Sequence, residues 1–219
     1  GTFLHVEHIE LLSGIHQTIR EALPEVGKPF YVRYVSTAPQ QPAPQRWSYS
    51  LTQFGFPLIG ALSRVHRLID LFGPVKRVFC SQQVWSDAGE PLSDGQEYFG
   101  TVLCTAQLRF TSGLLAEVVY GKGQALWDGQ RQFEVQGSQG RLRVGSGAGE
   151  LLLANGTSRE LRVGSRRGLF VRDTAAVLDS LQEPSGDCYV TVQQSLYALR
   201  VADAARRSAI ARQPIVISA

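Results

Sequence analysis

Pro57-Leu-Ile-Gly-Ala-Leu-Ser-Arg64-Val-His-Arg-Leu-Ile-Asp70-Leu-Phe-Gly-Pro74 is the stretch whose reading decides the fold. At about 100° per residue, Leu58, Ala61, Leu62, Val65, Leu68, Ile69 and Phe72 fill one broad face, which predicts an amphipathic helix over 57–72. Ser63, His66, Arg67 and Asp70 take the other side, and Arg64 sits at the opposite edge with Gly60 one turn before it. Gly73-Pro74 stops the helix.

Upstream, residues 3–6 read as a short strand, and Ile9, Leu12, Ile15, Ile19 and Leu23 mark one face of a helix over 9–23. Pro24 and Gly27 end it, Phe30 to Val35 reads as a strand, and the prolines of Thr37–Trp47 enforce an irregular, stiff loop. Downstream the chain is strand-rich. Residues 75–84, 98–110, 114–120, 132–135, 141–144, 150–154 and 160–163 alternate as strands do, separated by turn signals such as Ser112-Gly113, Asp128-Gly129 and Asn155-Gly156. Two helices follow, 172–181 and 190–212, the second with an apolar face of Val192, Leu196, Leu199 and Ala202, and a strand over 214–218 closes the chain. Short links favour antiparallel neighbours. The expectation is therefore an α+β domain, a large, mostly antiparallel sheet with helices packed on one face.

Length and composition agree with one domain over 1–219: 219 residues, 43% hydrophobic and 19% charged, can bury a core. No apolar run approaches the roughly 18 residues that span a bilayer. A net charge of +3, scattered along the chain, marks no nucleic-acid groove. The three cysteines lie far apart with no Cys-x-x-Cys pair, which argues against a zinc site or disulfide framework and for free thiols in the cytoplasm. The chain opens on Gly1-Thr2-Phe3 without an initiator Met, as a piece of a longer protein would.

Chemistry-bearing signals are few. His5, His8, His16 and His66 show no metal-ligand spacing, so no metal is expected. Gly145-Ser-Gly-Ala-Gly149 leads into the strand-like Glu150-Leu-Leu-Leu, not into a helix whose N-terminus could hold a pyrophosphate, and reads as a turn. Tyr120-Gly-Lys122-Gly123 lacks the remaining phosphate-loop spacing, and no Gly-x-Ser-x-Gly elbow or His-Glu-x-x-His helix appears. Two basic features remain. Arg64 leans back over the turn that Gly60 leaves uncovered, where a guanidinium could meet an anionic or planar ligand; the alternative is a surface arginine pairing with an acid. Ser165-Arg166-Arg167-Gly168, before a helix, could grip a carboxylate or be a solvated turn.

The 57–72 helix ending in Leu71-Phe-Gly-Pro-Val75, the Gly137-Ser-Gln-Gly140 turn and the closing Val201-Ala-Asp-Ala-Ala-Arg-Arg-Ser208 resemble the second domain of the Gfo/Idh/MocA oxidoreductases. That family places an NAD(P)-binding Rossmann domain first, so the resemblance implies that the cofactor-binding domain is missing from this chain. Counting back from Gly73, Ser63 stands where the family's sugar dehydrogenases carry a catalytic His, which argues against a sugar substrate. Within the family, Leu4-His-Val-Glu-His-Ile-Glu-Leu-Leu12, Pro42-Ala-Pro-Gln-Arg-Trp47, Gln53-Phe-Gly-Phe-Pro-Leu58, Ala61-Leu-Ser-Arg64, Ala116-Glu-Val-Val-Tyr-Gly-Lys-Gly123 and Val163-Gly-Ser-Arg-Arg-Gly-Leu-Phe170 resemble the cyanobacterial biliverdin reductases. The resemblance implies NADPH-dependent reduction of biliverdin, with NADH the alternative donor, and Arg64 as the catalytic-site residue. Ser63, His66, Arg67, Trp47, Tyr49, Arg166 and Arg167 are the candidates to line a bilin site, and the open sheet face offers a surface for a homodimer. Alone, the chain is expected to be inactive. The competing readings are a dehydrogenase of the same family with another substrate, and a non-catalytic bilin-binding or dimerisation module.

Overall fold

The structure, a computed structural model, describes residues 3–86, 90, 91, 93, 95–182 and 188–217. Its elements run α1 (Gly14–Ala22), β1 (Pro29–Pro39), α2 (Leu62–Phe72), β2 (Val75–Trp85), β3 (Thr101–Phe110), β4 (Leu115–Gly123), β5 (Gln130–Gly137), β6 (Gly140–Val144), β7 (Ala148–Leu153), β8 (Ser158–Arg162), α3 (Leu169–Gln182), α4 (Val192–Ala211) and β9 (Ile215–Val216). The strands form one sheet in the order β8-β7-β6-β5-β1-β4-β3-β2-β9. Neighbours are antiparallel except the central pair: β1 and β4 run parallel, with Tyr31 opposite Leu115 and Pro39 opposite Gly123. The α+β expectation holds, and so do the turns: Gly145 and Asn155-Gly156 close the β6–β7 and β7–β8 hairpins.

Strand alternation assigns each residue to a face. Val32, Tyr34, Val102, Ala106, Leu108, Phe110, Ala116, Val118, Phe133, Val135, Leu142 and Val144 are buried on the inner one. Ile15 and Ile19 of α1, Val65 and Leu68 of α2, and Val201, Ala202 and Ala205 of α4 complete that core. The other face is polar and cross-paired. Arg33 lies between Glu117 and Glu134, and Arg143 bonds Glu134 at 3.0 Å.

Several sequence expectations are corrected. Residues 57–61 do not begin the long helix: a turn and a 3₁₀ segment (Ile59–Ala61) lead into α2, because the Gly60 N–H bonds Gly55 O instead of a carbonyl four residues back. The 9–23 helix is broken at Ser13, whose extended backbone lets its hydroxyl cap α1 by accepting from His16 N–H. Residues 3–6 are irregular rather than a strand; no neighbouring edge receives them, and Phe3 and Leu4 are exposed. The last strand is only Ile215–Val216, and Ser218 lies outside the described residues. Most instructively, of the face expected for α4 only Ala202 is buried. Val192, Leu196 and Leu199 are exposed, while Ser195, Ala198, Val201, Ala202, Ala205 and Ser208 face inward. Small residues let this helix approach β2 and α2 closely, so proximity outweighed side-chain hydrophobicity.

All four histidines gather where residues 5–16 meet the helices. His5 bonds Asp173 at 2.9 Å, His16 bonds Asp70 at 2.9 Å, and His8 bonds Ser195 at 3.0 Å while stacking on His66 with centroids 4.5 Å apart. Both His66 ring nitrogens are buried without a partner. Burial lowers the His66 and His16 pKa values, and burial with neighbouring His66 and His5 lowers His8 from 6.5 to about 4. Unfolded histidines take up protons near pH 6.5, and these cannot until lower pH, so stability is present above about 6.5 and lost as pH falls toward about 4. Urea denaturation should show a loss on the order of 3 kcal/mol between pH 7 and 4, and His66→Leu should flatten that slope. An unchanged slope in the variant would remove His66 from the account.

Candidate active site

The parallel register sets Ser36 beside Tyr120 and Ala38 beside Lys122. Ser36, Tyr120 and Lys122 share the inner parity of their strands with Tyr34 and Val118, so they continue the core face toward the strand ends. There the cover is no longer an apolar helix face. It is the first turn of α2 and the 40–61 segment, which deliver Arg64, Arg46, Tyr49 and Phe54.

Arg64 Nε donates to Ser36 Oγ at 3.0 Å, and its Cζ lies 5.1 Å from the Tyr120 ring centroid. Phe54 is stacked at 6.5 Å from Tyr120 and is fixed by Gly60: a Cβ there would fall 2.5 Å from the Phe54 ring. The turn that Gly60 was expected to leave uncovered is thus occupied, by an aromatic side chain. Lys122 enters from below. Its Nζ is 3.3 Å from the Phe54 centroid, 4.5 Å from that of Tyr49 and 5.6 Å from that of Phe99, and it donates to the Ser48 carbonyl. Arg46 Nε donates to Ser48 Oγ at 3.0 Å.

The electrostatics are one-sided. Among the described residues no carboxylate pairs with Arg46, Arg64 or Lys122. Burial first, then Arg46 and Arg64, lower the Lys122 pKa to about 7. Burial raises Tyr120 to about 12 against the opposing pull of Arg64, and raises Tyr49 as well. The result is a buried aromatic cluster of Tyr49, Phe54 and Tyr120 carrying positive charge that no carboxylate among the described residues pairs with. It suits a planar ligand bearing anionic groups, held by stacking and forked hydrogen bonds.

Of the residues singled out in the sequence, Arg64, Trp47 and Tyr49 come together here. Trp47 is at the rim, 63% exposed and 6.4 Å from Phe54, whereas Tyr49 is buried against Phe99. Ser63 is half-buried beside Arg64 in the first turn of α2. His66, Arg67 and Arg166 belong to a different cluster. Arg67 is fully buried and donates to Tyr34 Oη at 2.8 Å, Glu10 O at 2.8 Å, Glu10 Oε2 at 2.9 Å and Ser13 Oγ at 2.9 Å. Arg166 pairs with the other Glu10 oxygen, His66 stacks on His8, and Arg167 is exposed with its backbone N–H on Ser165 Oγ. The structure therefore uses His66, Arg67 and Arg166 to fasten the N-terminal segment rather than to face Arg64. The sequence reading missed Lys122, Phe54, Tyr120, Ser36 and Arg46. Lys122 carried a readable signal, since Ala116, Val118, Tyr120 and Lys122 alternate on one face and a lysine in that series must be buried.

Comparison with known proteins places this geometry. Residues 20–217 match the model of the oxidoreductase family C-terminal alpha/beta domain of the Gfo/Idh/MocA type, and the chain belongs to that family. Among solved structures, a biliverdin reductase from Synechocystis sp. PCC 6803, in complex with biliverdin and NADP+, is 47% identical with a TM-score of 0.87, covering 95% of this chain and 63% of that one. A putative NADPH-dependent oxidoreductase from Desulfitobacterium hafniense is 20% identical with a TM-score of 0.76, covering 97% of this chain and 64% of that one. A UDP-N-acetylglucosamine 3-dehydrogenase from Acidithiobacillus ferrooxidans is 14% identical with a TM-score of 0.66, covering 95% of this chain and 60% of that one. The last two share the fold alone. The chain spans less than two thirds of the length of each. No curated protein sequence matches significantly. Among the described residues no helix is long and apolar enough to cross a membrane.

The two arginines of α2 should respond unequally to removal. Arg67→Ala leaves part of buried Glu10 unpaired and should cost about 3 kcal/mol in urea denaturation. Arg64→Ala breaks one hydrogen bond and a cation–π contact at a half-open site and should cost about 1 kcal/mol. Equal costs would contradict the division into a structural and a ligand-facing arginine.

Proposed function

We propose that this chain is the substrate-binding domain of an NADPH-dependent biliverdin reductase, which reduces the central methine bridge of biliverdin to give bilirubin. One observation carries the reading. Arg64 lies over the Tyr120 ring and Lys122 over the Phe54 ring, with Arg46 near enough to act on Lys122 and no carboxylate paired with any of the three among the described residues, in a domain 47% identical to a biliverdin reductase seen with biliverdin and NADP+. Biliverdin is a conjugated tetrapyrrole with two propionates, so its flat face and its charges both find partners in such a site.

NADPH supplies the hydride to the methine carbon, and the accompanying proton ends on a pyrrole nitrogen. The glycine-rich 145–149 run forms no phosphate cradle: it turns from β6 into β7, with the Gly145 N–H bonded to Ala148 O. Cofactor binding is therefore not assigned to that run. The part of this chain is to hold the bilin. Among the described residues Ser36 engages Arg64 through its Nε, which leaves the Nη groups to meet the ligand. A guanidinium is a poor acid at neutral pH, so orientation or propionate pairing fits Arg64 better than direct proton donation. Tyr120, whose pKa is pushed up to about 12, stays neutral beneath the Arg64 guanidinium. Ser63, where a sugar dehydrogenase carries its His, leaves no imidazole base in this turn.

The test uses the full-length gene product with biliverdin and NADPH. The red absorption band of biliverdin should bleach while the blue band of bilirubin grows. Arg64→Ala should lower turnover at least about tenfold with unchanged circular dichroism. A band that shifts but never bleaches would overturn the reductase in favour of a bilin-binding module, and an unchanged spectrum would return the site to a dehydrogenase with another substrate.

A further inference from the structure

Lys122 is the least expected member of the site. It is 9% exposed, its ammonium rests on the Phe54 ring at 3.3 Å with Tyr49 and Phe99 beyond, and its one described acceptor is the neutral Ser48 carbonyl. Among the described residues, the titratable and charged groups facing it are Arg46 and Tyr49 from the 40–50 segment, Arg64 from α2, and Tyr120 two residues back on its own strand; β3 sets uncharged Val102 opposite it, with the Cys104 thiol diagonal. All the permanent charges among these are positive. A lysine so placed holds its proton weakly until an anion arrives.

We propose that Lys122 is the proton-linked residue of the site, taking up one proton from solvent as an anionic ligand settles beside Arg46 and Arg64. This deepens the reading of the site as a bilin site and rests on it. In the free protein, burial and the two arginines bring the Lys122 pKa to about 7, so above neutral pH the amine is largely neutral. A propionate entering the cluster reverses the sign of the local field and raises that pKa, so binding and protonation reinforce each other. Affinity then falls about tenfold per pH unit above about 7, until the pKa of the complex is passed. The step balances simply: one proton leaves the solvent, one ammonium forms, and its charge meets one carboxylate. Lys122 acts here as a positioning residue, since its Nζ lies under Phe54.

Proton uptake is measured by titrating the full-length gene product with biliverdin calorimetrically, at pH 8.5, in buffers of different ionisation enthalpy. The expected result is an uptake of about 0.5–1 proton per bilin bound, and about none at pH 6, where Lys122 is already charged. Biliverdin dimethyl ester keeps the tetrapyrrole but removes the propionate charges, and should bind with little uptake. Lys122→Arg keeps the cation permanently charged and should abolish both the uptake and the slope of affinity with pH; Lys122→Met should abolish the uptake while weakening binding. Uptake that persists in Lys122→Arg, or with the ester, would place the proton on the tetrapyrrole and overturn the proposal. Tight biliverdin binding with no uptake would overturn it while leaving the bilin site intact. Absence of binding at every pH would instead defeat the underlying reading. Thermal melting of Lys122→Arg, unchanged from the parent, separates these outcomes from misfolding.

Discussion

The parallel pairing of β1 with β4 is the constraint on which the rest depends. Antiparallel neighbours can be joined by two residues, but a parallel pair needs a long crossover. Here the chain between Pro39 and Leu115 carries the cis-proline loop, α2, β2 and β3 before returning to the centre of the sheet. That excursion lays α2 across the inner face and the 40–61 segment across the ends of β1 and β4. The same parallel register that stacks Val32 with Ala116 and Tyr34 with Val118 in the core sets Ser36 with Tyr120 at the site. The active-site floor is therefore the core face of the sheet continued past the point where apolar cover ends.

Two arginines one turn apart on α2 show how local cover decides a residue's role. Arg67 meets the N-terminal segment, which brings Glu10, Ser13 and a backbone carbonyl, and only with that many acceptors can a guanidinium be wholly buried. Arg64 meets Ser36 and an aromatic ring, which supply one hydrogen bond and a cation–π contact. That is too little to satisfy five donors in a dry interior, so the site must stay open to water or to a ligand. A carboxylate near Arg64 would have closed it, as Glu10 closes the other.

The fold was legible because strand alternation and turn residues are local. The hairpins at 145–149 and 155–156 follow from glycine and asparagine alone, and the strand run from 75 onward from side-chain parity. What misled were choices made by tertiary contact. The α4 face could not be ranked by hydrophobicity, since Ala198 and Ala205 displaced Leu196 and Leu199 by size rather than by transfer free energy. Arg64 stood out through the resemblance and through Gly60 one turn before it, whereas Arg67 and Arg166 looked equally free until Glu10, distant in sequence, was brought to both. The expectation of a bare turn at Gly60 failed for the same reason. A glycine marks a close approach without saying what approaches, and here it is Phe54.

The chemistry of the site then turns on where neutral and charged forms can coexist. Under the proposed reading, reduction of a conjugated bridge by hydride would leave a negative charge on the nitrogens conjugated with it until a proton arrives, and fixed cations beside the ligand would stabilise that charge without having to give up a proton. On that reading Arg46 and Arg64 are the fixed cations, and low-dielectric aromatic surroundings make a charge more effective than it is in water. Tyr120, held neutral with its pKa near 12, adds no competing anion. Lys122 differs from all three because burial on Phe54 and two like-charged neighbours hold its charge in balance near neutrality. A site with fixed cations for stabilisation and one adjustable cation beneath them can accept a dianion without burying an unpaired charge in its absence, which follows from placing a lysine where strand parity demands an apolar side chain.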